Sequence, residues 1–139
     1  MASAALFWPV VAMVVLSLVV MVLMGRERFG QLRRGQVHPQ AVATSGQMAS
    51  RMADTRCADN FRNLFELPVL FYVAIVVAFV TAQGSTFVHV LAWTFVALRI
   101  AHSVIHCGPN KVRHRFVVYV AGAAVLLVLW GRLAWGMLG

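Results

Sequence analysis

Residues 60–72 read NFRNLFELPVLFY, and the two halves of that run pull in opposite directions. Leu67 to Tyr72 is apolar enough to enter a bilayer, whereas Asn60, Arg62, Asn63 and Glu66 are polar or charged, and Pro68 follows almost at once. Polar groups at the mouth of an apolar segment are retained where they face other protein rather than lipid. The neighbours of this stretch therefore decide what it is.

Of the 139 residues, 61% are hydrophobic and 12% are charged, which excludes an ordinary water-soluble domain. Ala4 to Met24, Leu64 to Ala82, Thr86 to Ile105 and Phe116 to Leu138 are each about 20 residues long and nearly uncharged, the length that crosses a hydrocarbon core of roughly 30 Å. With their polar flanks, they predict helices over about 4–24, 57–82, 86–106 and 115–138. The fold class is an all-α integral membrane protein, a single four-transmembrane-helix bundle spanning residues 1–139. No positive charge precedes the first stretch and no small-residue cleavage pattern follows it, so it reads as a retained helix stopped by Arg26 and Arg28 rather than as a signal peptide.

Basic residues set the orientation. The 25–56 connection holds Arg26, Arg28, Arg33, Arg34, Arg51 and Arg56, and the 107–115 turn holds Lys111, Arg113 and Arg115, while the TAQGS turn between the second and third helices holds none. Positive charge marks the cytoplasmic side, which puts both termini outside. The formal net charge of +8 is spread over these flanking turns, so topology and anionic lipid contact explain it and nucleic acid is not an expected partner. Cys57 and Cys107 fall at predicted cytoplasmic helix ends, where thiols stay reduced. The later part of the long connection, MASRMADTRCADNF, reads as the beginning of the second helix ahead of its membrane entry.

At about 1.5 Å of rise per residue, Asn63 and Glu66 lie roughly 10 Å inward from a boundary near Cys57, and Arg99, counted back from His106, lies at a similar depth. Charges at that depth face a bundle interior and pair, so Glu66 and Arg99 are expected to form an ion pair. Arg99, His102 and His106 share one helix face at i, i+3 and i+7, and Asn63 and Glu66 share another at i and i+3. Lys111, Arg113 and Arg115 close the ring, with Tyr119 a turn further on. Pro68 leaves the Leu64 carbonyl without its helical partner and loosens the helix beside these polar groups.

Each feature has a plainer reading. A buried ion pair can be a packing clasp with no chemistry. The His102/His106 HxxxH pair lacks a third ligand, so no metal is expected. Gly122, Ala123 and Ala124 are expected to permit close helix contact; Arg132 is expected to snorkel at the outer end, with His89 interfacial near it.

These motifs resemble the family of membrane-associated proteins in eicosanoid and glutathione metabolism, and the resemblance covers nearly the whole chain. Its carriers are the long basic first connection, the second-helix run N63LFE66 followed by Pro68, and the third-helix run R99IAHSVIH106. NFRNLFELPVLFY and HSVIHC look like a bacterial branch, which implies a bacterial inner membrane protein. The resemblance implies a homotrimer that binds glutathione as cosubstrate between subunits at the cytoplasmic half, with a lipophilic small molecule as the second substrate and membrane lipid around it. Residue by residue, it implies glutathione contacts at Asn63, Glu66, Arg99, His102 and His106, with Arg62 and Arg113 added from the basic ring, and a catalytic pair Arg115 and Tyr119, Arg115 stabilising the thiolate. The chain departs from the family where Asp59 and Phe61 replace an arginine and a histidine or glutamine ahead of the asparagine, and where His106 replaces a tyrosine. Two function classes are open: a glutathione-dependent transferase or peroxidase acting on lipophilic electrophiles or hydroperoxides, and a non-catalytic membrane module that binds a lipid or amphiphile or accompanies a larger complex.

Overall fold

The computed structural model describes residues 2–35 and 37–138. A short helical turn, α1 (Ala2–Ala5), leads into α2 (Phe7–Arg34); a 3-10 turn at Pro39–Val42 and α3 (Ser45–Arg51) follow, then α4 (Arg56–Asn63), α5 (Leu67–Val80), α6 (Thr86–Cys107) and α7 (Val112–Leu138). With α4 and α5 taken together, four spans, Phe7–Arg34, Arg56–Val80, Thr86–Cys107 and Val112–Leu138, are long and apolar enough to cross a membrane. They run up, down, up and down, so the 35–55 connection and the 108–111 turn share one end, called here the basic end, and the 81–85 turn lies at the other.

The apolar half of the bundle is built by interlocking large and small side chains. Phe71 of α5 stacks on Phe95 of α6 with centroids 4.7 Å apart. Both rings are buried, beside Ala74, Ala78 and Ala92, whose small size lets the backbones approach, and Met13 of α2 with Leu126, Leu129 and Leu133 of α7 completes the core. In a bilayer the gain from such packing is dispersion rather than removal of apolar surface from water. Ser85 caps α6 by accepting from the Val88 amide at 3.4 Å. Gly122 is buried in α7, yet a Cβ there would meet nothing within 4 Å, so the close contact expected at 122–124 does not arise at Gly122 within one chain.

Three element boundaries differ from the sequence reading. The first helix continues ten residues past Met24 to Arg34, because arginine ends the hydrophobic span without ending the helix. Of the segment expected to lead into the second helix, Met48–Arg51 falls in a separate helix, α3, opened by a reciprocal capping box between Thr44 and Gln47 and closed in extended backbone at Met52, while Arg56–Phe61 does open the second span as α4. The second span is broken outright between Asn63 and Leu67 rather than merely loosened. Pro68 lies in the first turn of α5, where its missing N–H is no loss, whereas in a continuous helix its ring would collide with the Leu64 carbonyl.

At the basic end a polar clip anchors the long connection. Gln31 donates to the Asp54 carbonyl at 2.7 Å and accepts from the Asp54 amide at 3.1 Å. Arg56 pairs with the Asp54 carboxylate and also donates to the Gly108 carbonyl, and Glu27 accepts from the Cys57 amide at 3.3 Å. The Arg56 guanidinium holds the Asp54 carboxyl well below the usual range, at about 2. Three segments distant in sequence are thus tied at one level. Cys57 and Cys107 are free thiols.

Candidate functional site

The helix break creates the central feature of the site. In a continuous helix the Asn63 carbonyl would accept from residue 67; here its backbone partner is the Glu66 amide at a long 3.4 Å. That leaves the carbonyl open to Arg99 Nη2, which donates to it at 3.1 Å. Arg99 is 1% exposed, and the ring of Tyr119 lies against it with the centroid 5.7 Å from the guanidinium carbon, a cation–π contact that partly compensates the burial. Its Nε and Nη1 have no partner.

The Glu66–Arg99 ion pair expected from sequence does not form. Among the described residues the ion pairs are Arg56–Asp54 and Arg62–Asp59. Matching depth fixed the height of the two groups but not their direction around the helix axes. Glu66 is exposed at the broken turn, where Tyr119 Oη approaches its carboxylate at 3.5 Å. With its amide nitrogen turned toward that carboxylate, Asn63 lies 3.3 Å from both Glu66 oxygens. Asn63 and Tyr119 therefore stand between the two charges.

A groove of about 410 Å³ opens in front of this arrangement, lined on one wall by Asp59, Asn63 and Glu66 and on the other by His102, His106, Arg115 and Tyr119. Its protonation pattern follows from donor chemistry. A guanidinium can only donate, so His106 Nε2, 2.7 Å from Arg115 Nη1, is the acceptor and Nδ1 carries the ring proton. A carbonyl can only accept, so His102 Nδ1 donates to the Arg115 carbonyl at 3.2 Å and Nε2 keeps its lone pair. Both rings are buried, and His102 Nε2 and His106 Nδ1 have no partner. The wall of the groove thus keeps one unmet acceptor and one unmet donor, both buried beneath its surface. Arg115 Nη1 also donates to Asn110 Oδ1 at 2.9 Å. Among the described residues its hydrogen-bond partners are neutral acceptors and no carboxylate forms an ion pair with it.

Six of the predicted site residues, Asn63, Glu66, His102, His106, Arg115 and Tyr119, come together on the groove, and Arg99 lies behind it. Arg62 and Arg113 do not join them. Arg62 is exposed, pairs with Asp59 at 3.6 Å and lines a separate cleft with Glu27 and Arg28. Arg113 is exposed and borders another groove with His114 and Val117. Helical geometry explains both: one residue from Asn63 is about 100° around the axis, and two residues from Arg115 are about 200°.

Sequence reading missed Asn60, which is fully buried, accepts from Ser103 Oγ at 3.4 Å and donates to Cys107 Sγ at 3.5 Å, stitching α4 to α6. Its spacing of three before Asn63 was the available signal. It also missed Asn110, whose side chain holds Arg115 from a turn where spacing carries no message. Among the described residues no group of three or more His, Cys, Asp or Glu side chains gathers closely enough to hold a metal ion.

Comparison with known proteins gives one family match: the model of the MAPEG family covers residues 6–135. Neither the curated proteins nor the solved structures provide a match.

Proposed function

Because this chain belongs to the MAPEG family, we propose that it is a membrane-embedded glutathione-dependent transferase or peroxidase acting on lipophilic electrophiles or hydroperoxides. The observation that carries the reading is Arg115: a guanidinium on the groove wall, hydrogen-bonded among the described residues only to neutral acceptors, on the same groove as Tyr119. An ordinary thiol has a pKa near 8.5, and an uncancelled guanidinium in a partly dehydrated site lowers that by about a unit or more. In this reading the S–H proton leaves to solvent and Arg115 holds the thiolate. The thiolate forms an S–C bond with an electrophile and expels its leaving group, or attacks a hydroperoxide, breaking the O–O bond to give a sulfenic acid and an alkoxide that takes a proton from water to leave as the alcohol. A second thiol then displaces hydroxide from the sulfenic acid to give a disulfide.

The remaining groups act as anchors. Glu66 and the oriented Asn63 would take an ammonium, while His102 and His106 back the groove wall and hold Arg115 from its backbone carbonyl and its guanidinium. The apolar surfaces of α2 and α7 leave the second substrate free to approach from lipid. Assembly as a homotrimer, with the groove completed by a neighbour, belongs to the same proposal. So does the orientation with the basic end in the cytoplasm and the termini outside a bacterial inner membrane.

One observation favours the second reading, a non-catalytic membrane module that binds a lipid or amphiphile. Asp59 lies on the groove wall beside Glu66, so two carboxylates face a ligand that itself carries two. A conjugation assay with glutathione and a chloronitrobenzene electrophile, run on purified protein in detergent, separates the readings. Turnover above the uncatalysed rate is expected, and none at any thiol concentration, with this electrophile or with a lipid hydroperoxide, would leave the non-catalytic module.

A further inference from the structure

We propose that the basic end of α2 carries a binding site for the headgroup phosphate of an anionic phospholipid, formed by Arg26, Phe29 and Arg33 over a depression at Gly25 and Gly30. These residues, with Val22, line a groove of about 490 Å³. Arg26 and Arg33 stand seven residues apart, within about 20° of each other around the helix. Phe29 lies between them with 67% of its surface exposed. A Cβ added at Gly25 or Gly30 would meet nothing within 4 Å, so no part of the chain fills the depression.

Depth agrees with a headgroup ligand. Twenty residues from Phe7, at 1.5 Å each, traverse about 30 Å of hydrocarbon, which puts Arg26 at the boundary and Arg33 about 10 Å beyond it. Phe29 falls at the interface between them. Two guanidinium groups flanking the phosphate layer offer forked donors to phosphate oxygens, and the aromatic ring contacts the glycerol and upper acyl region.

The occupant is argued from the chain's own charge inventory. A second copy packed here would have to bring carboxylates to meet two guanidinium groups that have no ion-pair partner among the described residues. The chain has four acidic residues in all; three are held by an arginine or a backbone amide, and the fourth, Glu66, lies on the Arg115 groove. Glu27 accepts from the Cys57 amide, Asp54 pairs with Arg56, Asp59 with Arg62, and Glu66 meets Tyr119. The anion must come from outside the protein, and at this depth the abundant outside anion is a lipid phosphate with net negative charge.

The test uses the full chain in a non-ionic detergent, titrated with phosphatidylglycerol or with phosphatidylcholine of the same acyl chains. The thermal midpoint is followed, and native mass spectrometry counts retained lipids. Phosphatidylglycerol should raise the midpoint saturably and be retained, phosphatidylcholine should do neither, and Arg26→Gln/Arg33→Gln should weaken the phosphatidylglycerol response about tenfold. Arg34→Gln removes the same charge about 80° round the helix and should leave the response intact. Lipid counting reads the double variant even if its midpoint without lipid has shifted. Equal responses to the two lipids, an Arg34→Gln loss matching the double variant, or a shift reproduced by inorganic phosphate alone would each overturn the proposal.

Discussion

The two halves of the bundle solve the same packing problem in opposite ways. In the half near the 81–85 turn, Phe71 against Phe95, alanines at close approaches and a serine cap form an apolar core, with unpartnered buried atoms at Gln83 Oε1 and His89 Nε2 in the turn and the first turn of α6. In the half near the basic end, a helix is broken, a guanidinium is buried with one hydrogen bond, and two buried imidazoles each keep an unpartnered nitrogen. Each unmet buried polar atom costs on the order of 1–3 kcal/mol, so stability alone would remove them. The contrast assigns the first half to holding the fold and the second to binding something. Both halves are cut from the same helices, so the division lies across the bundle rather than along the chain.

The contrast can be broken most severely at Phe71. Phe71→Ala deletes a fully buried ring and should destabilise the protein by about 3 kcal/mol or more, read as a lower thermal midpoint in detergent, while ligand affinity of the surviving folded fraction stays unchanged. An equal loss of affinity would mean that the halves are not separable.

Pro68→Ala probes the other half. An N–H at position 68 lets the second span close into a continuous helix and returns the Asn63 carbonyl to the backbone, away from Arg99. The midpoint should hold or rise, and glutathione-dependent turnover should fall about tenfold. A variant that loses stability without losing turnover would make the break a structural feature only.

Asp59→Arg sharpens the comparison within the groove itself. Replacing a carboxylate on the groove wall with a guanidinium should tighten glutathione binding several-fold, measured by calorimetry, and the gain should shrink in high salt. Weaker binding would show that Asp59 is a ligand contact rather than a repulsive element.

The smallest expected effect is at the clip. Arg56 lowers the folded-state pKa of Asp54, so the clip's contribution is fully present above the unfolded carboxylate pKa, near 3.9. It is lost as pH falls toward about 2. The midpoint difference between wild type and Asp54→Asn should therefore be constant from pH 5 to 8 and shrink between pH 4 and 2.5. A difference that grows on acidification would reverse the sign and exclude this pairing.

How much of this was legible beforehand follows the same division. The apolar half is written in composition and span length, and the four spans were readable because lipid imposes them on every backbone group. The polar half was readable as an inventory: Asn63, Glu66, Arg99, His102, His106, Arg115 and Tyr119 all stand at or behind the groove. Its wiring was not readable. Rise per residue gives depth, so Glu66 and Arg99 were matched in height, but their azimuths depend on the broken turn. Arg62 and Arg113 were drawn in because a ring of charge in sequence need not be a ring in space. The Gln31–Asp54 clip and the Asn110 contact to Arg115 join polar residues through turns, where no periodicity announces them.

The central claim is that an uncancelled guanidinium at Arg115 turns a bound thiol into a thiolate, and difference absorbance at the thiolate band tests it most directly. Glutathione titrated into wild-type protein at neutral pH should produce a saturable thiolate signal. In Arg115→Ala glutathione should still bind, by calorimetry, with the signal largely lost. No thiolate signal in the wild type, or an undiminished one in Arg115→Ala, would contradict it.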